Sequence, residues 1–523
     1  MPKHWLKLAA LLLIGLIGAS LAQAAPAVGS ISIKRLHPAL GEKELVYSYR
    51  LSPDQATVIY KAGDFSLGSH GLLAVPRRGD GAPLPISRPE DTGRITQYAV
   101  TPDSQSLIYN IGSALISVSL DGTDAQTLTL PLSKTDTFAE SIGEFWIAPD
   151  QQSLVYTIGT YPHTHMKVMR SNLDGSAPVQ LAISPALLFV EGLTGQRVVY
   201  RTGQDQESPL RLFSVPLQGG QAVAMTAGLA ADQYVDYKVE ISPDGQTAVF
   251  PVRSTTTGAR LLYAAPLTGP GLVQLSDPAH LAVLYALISP DSQSVIYARE
   301  WGDQAELFRV ARGGGAVAKL SGTVKVEKFY QPNRLEFTPD SQRIVFVGLS
   351  GTGITPNYRL FSVPLSGGDP LALSDAAPVQ LLFVIAQSGQ TVVYGHWSET
   401  TRNTLHKVPL GGGAPTPLSG FLGDASNLQM LQAPDGGNTV IAVNAGPSVH
   451  AAYAFDLRTG TAKLLNPAPF GTLYVDRENA YTVTRSGDII FVARDINSPS
   501  QDELFVTIRD DQPVSVFLPL VRR

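Results

Sequence analysis

A ten-residue pattern recurs along nearly the whole chain, and this recurrence constrains the fold more than any other feature. Its clearest copy is ISPDGQTAVF, which begins at Ile241. Pro243 and Asp244 suit the central positions of a type I turn. The residues that follow, up to Phe250, are β-branched and aromatic side chains typical of a strand. Each copy therefore predicts a turn followed by a strand.

The copies are evenly spaced. Their prolines lie 47 to 49 residues apart, or about twice that distance where a degenerate copy is expected in between. The clear copies are LSPDQATVIY from Leu51, VTPDSQSLIY from Val100, IAPDQQSLVY from Ile147, ISPDSQSVIY from Ile288 and FTPDSQRIVF from Phe337. The looser copies are GLTGQRVVYR from Gly192, AQSGQTVVYG from Ala386, QAPDGGNTVI from Gln432 and TRSGDIIFVA from Thr484. Ten units with a period of about 48 residues indicate a repeat array, and four-stranded propeller blades have periods in this range.

A second piece recurs within the units, for example LFSVPLQGG from Leu212 and LFSVPLSGG from Leu360. Its apolar residues alternate, and its glycine pair supplies the positive φ of a hairpin. Each unit is therefore predicted to contain four strands. Strand a precedes the Pro-Asp turn, b follows it, c includes Val-Pro-Leu, and d follows the glycine pair. Because proline cannot donate to a strand ladder, it is expected at the end of strand c or at a bulge.

These two pieces together resemble the TolB-type Pro-Asp repeat, a WD40-like propeller blade, from roughly Leu45 to the C-terminus. The resemblance implies an all-β propeller of four-stranded antiparallel blades, and it specifies no function. Because the spacing is even, one ring of ten units is slightly favoured over two rings in tandem. The segment before Leu45 is shorter than the α/β domain that precedes the propeller in TolB, so a role in the Tol system is not expected.

The N-terminus predicts export. Lys3 and Lys7 precede an apolar run, and Ala22-Gln23-Ala24 fits a cleavage site, so residues 1–24 are predicted to be a signal peptide. The alternative is a retained anchor. Residues 25–44 would lead into repeats covering 45–523. The expected location is secreted, periplasmic or at the cell surface, with no later membrane span.

Composition narrows the partners and the chemistry. The chain has no cysteine, which excludes disulfides, thiolate catalysis and cysteine metal sites. Its net charge is −5, so nucleic acid is not an expected partner. A monomer that binds a protein, peptide or glycan, without cofactor or metal, is expected.

The order of the strands predicts which end of the propeller binds. The a–b and c–d turns lie at one end of each blade, here the turn end, and are nearly constant. The b–c loops and the d–a connections lie at the other, here the b–c end, and the b–c loops vary. Since variable loops on a rigid scaffold often bind ligands, we expect the working face at the b–c end.

Aromatic and charged residues in the b–c loops are the candidate contacts, and the alternative is that they pack between blades. The candidates are Trp301, Trp397, Arg299, Tyr161 and His396. His163 and His165, or Asp121 and Asp124, offer incomplete metal ligand sets, so no metal site is expected. The repeated aspartates are predicted to stabilise the turns: Asp54, Asp103, Asp150, Asp244, Asp291, Asp340 and Asp435.

No nucleophile elbow, zinc-protease motif or phosphate-binding loop occurs, so the chain is predicted not to be an enzyme. The alternative is a polysaccharide lyase or hydrolase with a site at the central pore. The segment SVFLPLVRR from Ser515 is expected to be a final strand, with a C-terminal sorting tag as the alternative.

Overall fold

The structure is a computed structural model that describes residues between Ile31 and Arg509. Within this span it leaves out 39–43, 65, 135–138, 161–165, 186, 204–208, 237, 328–334, 351–356, 376–378, 387–388, 399–401, 419–427, 433–438, 446–449, 465–480, 485–487 and 495–501. The predicted signal peptide and the FLPLVRR segment lie outside the described residues. In the described part, no helix is long and apolar enough to cross a membrane.

The described chain is almost entirely β-structure, with one short 3-10 helix at Pro89–Asp91. The strands form ten antiparallel sheets, of which eight have four strands and two have five. This arrangement confirms the predicted four-stranded blades of a propeller. The degenerate copies at Gly192 and Ala386 each belong to a complete blade.

Blades 1 to 5 follow each other along the chain. Blade 1 contains β2 (Glu44–Leu51), β3 (Thr57–Asp64), β4 (Ser69–Pro76) and β5 (Leu84–Pro85). Blade 2 contains β6 (Gln97–Val100), β7 (Ser106–Asn110), β8 (Leu115–Ser119) and β9 (Gln126–Thr127). Blade 3 contains β10 (Glu140–Ile147), β11 (Ser153–Thr160), β12 (Met166–Asn172) and β13 (Val179–Ser184). Blade 4 contains β14 (Leu188–Leu193), β15 (Arg197–Thr202), β16 (Arg211–Pro216) and β17 (Val223–Ala224). Blade 5 contains β18 (Gln233–Val235), β19 (Glu240–Ile241), β20 (Thr247–Ser254), β21 (Arg260–Pro266) and β22 (Val273–Gln274).

Blades 6 to 10 continue the same order. Blade 6 contains β23 (Val283–Ile288), β24 (Ser294–Trp301), β25 (Gln304–Ala311), β26 (Ala318–Lys319) and β27 (Val326–Glu327). Blade 7 contains β28 (Leu335–Phe337), β29 (Arg343–Ser350), β30 (Asn357–Pro364) and β31 (Leu371–Ala372). Blade 8 contains β32 (Val379–Ile385), β33 (Thr391–Ser398), β34 (Arg402–Pro409) and β35 (Thr416–Pro417). Blade 9 contains β36 (Leu428–Gln432), β37 (Thr439–Ala445), β38 (His450–Asp456) and β39 (Ala462–Leu464). Blade 10 contains β40 (Tyr481–Val483), β41 (Ile489–Arg494), β42 (Asp502–Arg509) and β1 (Ile31–Arg35).

The first strand of the chain completes the last blade. β1 pairs antiparallel with β42, with Ile31 opposite Arg509. The segment 25–44, predicted only to lead into the propeller, therefore contains the fourth strand of blade 10. One apolar cluster joins blade 10 to blade 1, and similar clusters join each successive pair from blade 1 to blade 9. The number of rings stays a prediction.

The proline of strand c lies at the end of that strand, as predicted. Pro216, Pro266, Pro364 and Pro409 are the last residues of β16, β21, β30 and β34. Their missing N–H groups therefore remove no bond from the middle of a ladder.

The aromatic residue near the middle of strand b is buried between blades. Phe250, Tyr297 and Phe346 are each 0% exposed. Phe346 belongs to the cluster shared by blades 6 and 7 and stacks on Phe361 of β30, with ring centroids 5.6 Å apart. Burying a side chain of this size contributes about 2–3 kcal/mol.

Candidate functional site

The aspartate carboxylates of the Pro-Asp turns accept hydrogen bonds from groups of the same turn. In the turn before β20, the Ser242 hydroxyl donates to Asp244 Oδ1 at 2.6 Å and the Gln246 N–H donates to the same oxygen at 3.1 Å. The same two kinds of bond form at four further turn aspartates: Asp54, Asp103, Asp291 and Asp340. Asp150 accepts bonds from two backbone N–H groups and the Ser153 hydroxyl. Asp435 lies outside the described residues.

Hydrogen bonds and an ion pair between neighbouring turns also use polar groups of the turn end. The backbone N–H of Asp244 donates to Ser292 Oγ of the next blade at 3.0 Å, and that of Asp291 donates likewise to Ser341 Oγ. Arg312, in the c–d turn of blade 6, forms an ion pair with Asp244 of blade 5. This pair also shows that a–b and c–d turns share one end of the molecule.

Exposed apolar side chains are concentrated at the b–c end. Among the described residues, eight large hydrophobic side chains are exposed. Six belong to b–c loops, d–a connections or the adjoining strand ends: Leu67, Leu130, Ile183, Phe189, Leu281 and Trp301. The other two, Leu84 and Leu371, lie at the turn end and are among the least exposed, at 42% and 39%. Among the described residues, the b–c end therefore exposes more large apolar side chains than the turn end.

Trp301 is the centre of a charged cluster in blade 6. β24 pairs with β25 so that Arg299 lies opposite Glu306, and side chains at alternate positions of a strand share one face. The Arg299 guanidinium lies 4.9 Å and the Lys325 ammonium 5.1 Å from the Trp301 ring centroid. The indole is nevertheless 55% exposed. At such distances cations are attracted to the electron-rich face of an indole ring.

Glu306 holds the cations of this cluster together. It forms ion pairs with Arg299, Lys325 and Lys319, the last at 2.8 Å between Lys319 Nζ and Glu306 Oε1. Its side chain is only 4% exposed. Burial alone would raise the pKa of Glu306, but hydrogen bonds from the three cations outweigh it and lower this pKa to about 2. Glu306 is therefore ionised at neutral pH and fixes the cations beside the indole.

The predicted site residues do not all lie in one place. Arg299 and Trp301 are in contact in blade 6, whereas His396 lies in blade 8. There its ring stacks on His406 with centroids 4.6 Å apart, and burial lowers the pKa of both histidines. Trp397 is on β33, but its side chain is not described, and Tyr161 lies outside the described residues.

The candidate metal ligands form no described site. His163 and His165 lie outside the described residues. Asp121 accepts the N–H and hydroxyl of Thr123 in an ordinary turn. No group of three His, Asp or Glu side chains suited to a metal occurs in the part of the chain that the structure describes.

The residues predicted from the sequence do not include Glu306, Lys319 and Lys325. Glu306 was detectable in principle, because a charged residue interrupts the apolar pattern of strand c. Lys325 was not, because it reaches the cluster only through β27, a short extra strand that pairs with β25. Nothing in the repeat predicts that strand.

The inner strands carry a second unusual group. First strands contact each other in three pairs of neighbouring blades: β6 with β10, β19 with β23, and β32 with β36. Glu336 of β28 is exposed to solvent, yet desolvation raises the pKa of its carboxyl to about 7. A hydrogen bond from the Ile385 backbone lowers this pKa and only partly offsets the rise. Glu191, on β14, is instead paired with Arg201 at 2.8 Å.

Comparison with known proteins gives no specific relationship for this chain. No family model matches the sequence, and no curated protein matches it significantly. A solved oligogalacturonate lyase in complex with manganese is 14% identical, with 65% of this chain and 94% of that chain covered and a TM-score of 0.35. A putative TolB from Agrobacterium tumefaciens is 15% identical, covering 43% and 74%, with a TM-score of 0.28. TolB from Acinetobacter baumannii is 15% identical, covering 61% and 79%, with a TM-score of 0.27.

The prediction that the chain is not an enzyme is wrong as it was made. Structures of similar fold include an oligogalacturonate lyase as well as TolB proteins, so neither the fold nor the missing motifs exclude catalysis. The physical reason is that a propeller assembles a site from single residues on several blades. Such a site leaves no local sequence motif.

Proposed function

We propose that this chain is an exported binding protein that holds a protein, peptide or glycan partner at the b–c end, with Trp301 as a central contact. The observation that carries the proposal is the asymmetry of exposed apolar side chains between the two ends. A half-exposed tryptophan offers a large, rigid surface that loses little conformational entropy on binding.

The two ends also differ in the polar groups that remain for a partner. At the turn end, the aspartate carboxylates accept hydrogen bonds within their own turns, and aspartate N–H groups donate to serine hydroxyls of the next blade. At the b–c end, cationic groups lie beside the exposed indole of Trp301. The b–c end therefore combines exposed apolar surface with cationic groups close to it.

The test compares two exposed side chains at opposite ends. Purified mature protein is applied to peptide and oligosaccharide arrays, and the bound ligands are then titrated against Trp301→Ala and Leu371→Ala. Both variants remove an exposed apolar group, so neither should unfold the chain. Loss of an aromatic interface anchor costs about 2 kcal/mol or more, roughly thirtyfold in affinity. We expect that loss for Trp301→Ala and no change for Leu371→Ala. The reverse pattern would refute the proposal.

A second candidate is catalysis on a polysaccharide at the central channel, and Glu336 is the observation that favours it. A carboxyl with a pKa of about 7 can donate or accept a proton at neutral pH. No charged group contributes to this pKa shift. A second catalytic group would therefore have to come from a residue that does not affect the pKa of Glu336. Assays of polysaccharide cleavage with the wild type and Glu336→Gln test it. Cleavage that the substitution abolishes would favour this candidate over simple binding.

A further inference from the structure

The Trp301 cluster departs from the repeat around it. Arg299 is the second residue after the strand-b aromatic. The corresponding residues elsewhere are apolar, small or neutral polar apart from one histidine: Ala62, Ile111, Ile158, Thr202, Val252, Gly348 and His396. The position of Glu306 varies more: β4, β21 and β34 have Gly71, Leu261 and Thr404 there, whereas four other strands have a charged residue, namely Lys167, Arg211, Arg359 and Glu503. The other blades fold without this ion cluster, so the fold does not require it.

The cluster carries more positive than negative charge. Arg299, Lys319 and Lys325 share one carboxylate, Glu306. Three further acidic residues are near in sequence: Glu327, which lies on β27 opposite Gln304, and Glu300 and Asp303. Glu300 is on the opposite face of β24 by strand alternation, and Asp303 is in the exposed b–c turn. An anionic group that approaches the exposed indole therefore meets two cationic heads about 5 Å from the ring.

Building on the proposed binding at the b–c end, we propose that the Trp301 cluster binds an acidic oligosaccharide. A pyranose ring packs its C–H face on the exposed part of the indole, and a carboxylate or sulfate on the sugar pairs with Arg299 and Lys325. Trp301 ends β24 beside a two-residue turn and is 55% exposed, so part of its ring is open to a flat ligand surface. A flat sugar face needs only the ring, whereas a peptide normally anchors an apolar side chain in a pocket.

The test uses four defined probes in calorimetric titrations at 50 mM and 300 mM salt. They are a uronic acid hexasaccharide, a sulfated hexasaccharide, a neutral hexasaccharide and hexaglutamate. The first two distinguish carboxylate from sulfate as the recognised group. We expect at least one acidic hexasaccharide to bind more tightly than the neutral one and than hexaglutamate, and to bind more weakly at the higher salt concentration.

Three variants test the assignment to these residues. Lys325→Gln removes one cation near the anionic group and should weaken binding of the acidic hexasaccharide about four- to tenfold, with a smaller salt dependence. Trp301→Ala should weaken it about thirtyfold or more. Arg458→Gln removes an 80% exposed cation from the c–d turn of blade 9, at the turn end, and should leave binding unchanged.

Several results would overturn the inference. They are equal affinity for neutral and acidic sugars, tighter binding of hexaglutamate, equal effects of Lys325→Gln and Arg458→Gln, or no binding of either acidic hexasaccharide at millimolar concentration. If the arrays identify a different ligand whose binding is abolished by Trp301→Ala, the proposed binding at the b–c end stands and only the acidic sugar assignment fails. If Trp301→Ala changes nothing on the arrays, the proposed function itself fails.

Discussion

Glu306→Gln gives the sharpest test of the electrostatics in blade 6. The substitution keeps the size of the side chain and removes the negative charge that three cations surround. The pKa of Glu306 falls from its ordinary value of 4.5 to about 2 in the folded chain. At about 1.4 kcal/mol for each pH unit, this difference corresponds to about 3 kcal/mol of stability at pH 7.

The sign of the pH dependence follows from the lowered pKa. A carboxyl with a depressed folded-state pKa contributes its full stabilisation above pH 4.5 and loses it as the pH falls towards 2. The difference in unfolding free energy between wild type and Glu306→Gln should therefore be about 3 kcal/mol at pH 7, about 2 kcal/mol at pH 3.5 and below about 1 kcal/mol at pH 2.5.

Urea denaturation at these pH values, followed by circular dichroism, measures the difference. The matched control is Asp303→Asn, which neutralises an exposed carboxylate three residues away in the b–c turn. It should change stability by no more than about 0.5 kcal/mol at each pH. A wild-type advantage over Glu306→Gln that stays constant down to pH 2.5 would refute the assignment of an ionised, cation-bound Glu306.

Four further predictions concern the fold and export. Phe346→Ala removes a fully buried ring and should cost about 3–5 kcal/mol in chemical denaturation; a loss below about 1 kcal/mol would contradict the burial. Asp291→Ala removes the bonds from Ser289 and Gln293 and should cost about 1 kcal/mol without changing ligand affinity, and a large loss of affinity would move the site to the turn end. N-terminal sequencing of the exported protein should begin at Ala25, and a chain that retains Met1 would contradict the signal peptide. Small-angle X-ray scattering should show one monomeric disc, and a two-lobed distance distribution would favour two rings.

Local chemistry made most of the fold predictable. Pro243 and Asp244 specify a turn within a few residues, and the strand that follows can be predicted from the local sequence alone. Repetition then multiplied this weak signal ten times. The pairing of β1 with β42 was not predictable in this way, because it joins Ile31 to Arg509 and leaves no mark on the local pattern.

The candidate site was only partly predictable for the same reason. Trp301 and Arg299 stand out within one strand, where their spacing already places them on one face. The geometry that makes them a site depends on Lys325, which comes from the connection to the next blade, and on the burial of Glu306. Neither the extra strand nor the depth of a carboxylate can be deduced from the repeat.

β27 explains how a charged cluster can be added to a blade without disturbing its core. The strand lies at the edge of blade 6, where Val326 is buried in the cluster shared with blade 7 while Lys325, its neighbour, reaches the ion cluster. The Lys325 side chain is 25% exposed and the Glu306 side chain 4%. The two residues should therefore separate experimentally. Loss of the Lys325 charge leaves Glu306 paired with two cations and acts mainly on the ligand, whereas loss of the Glu306 charge leaves three cations crowded together and acts on folding as well.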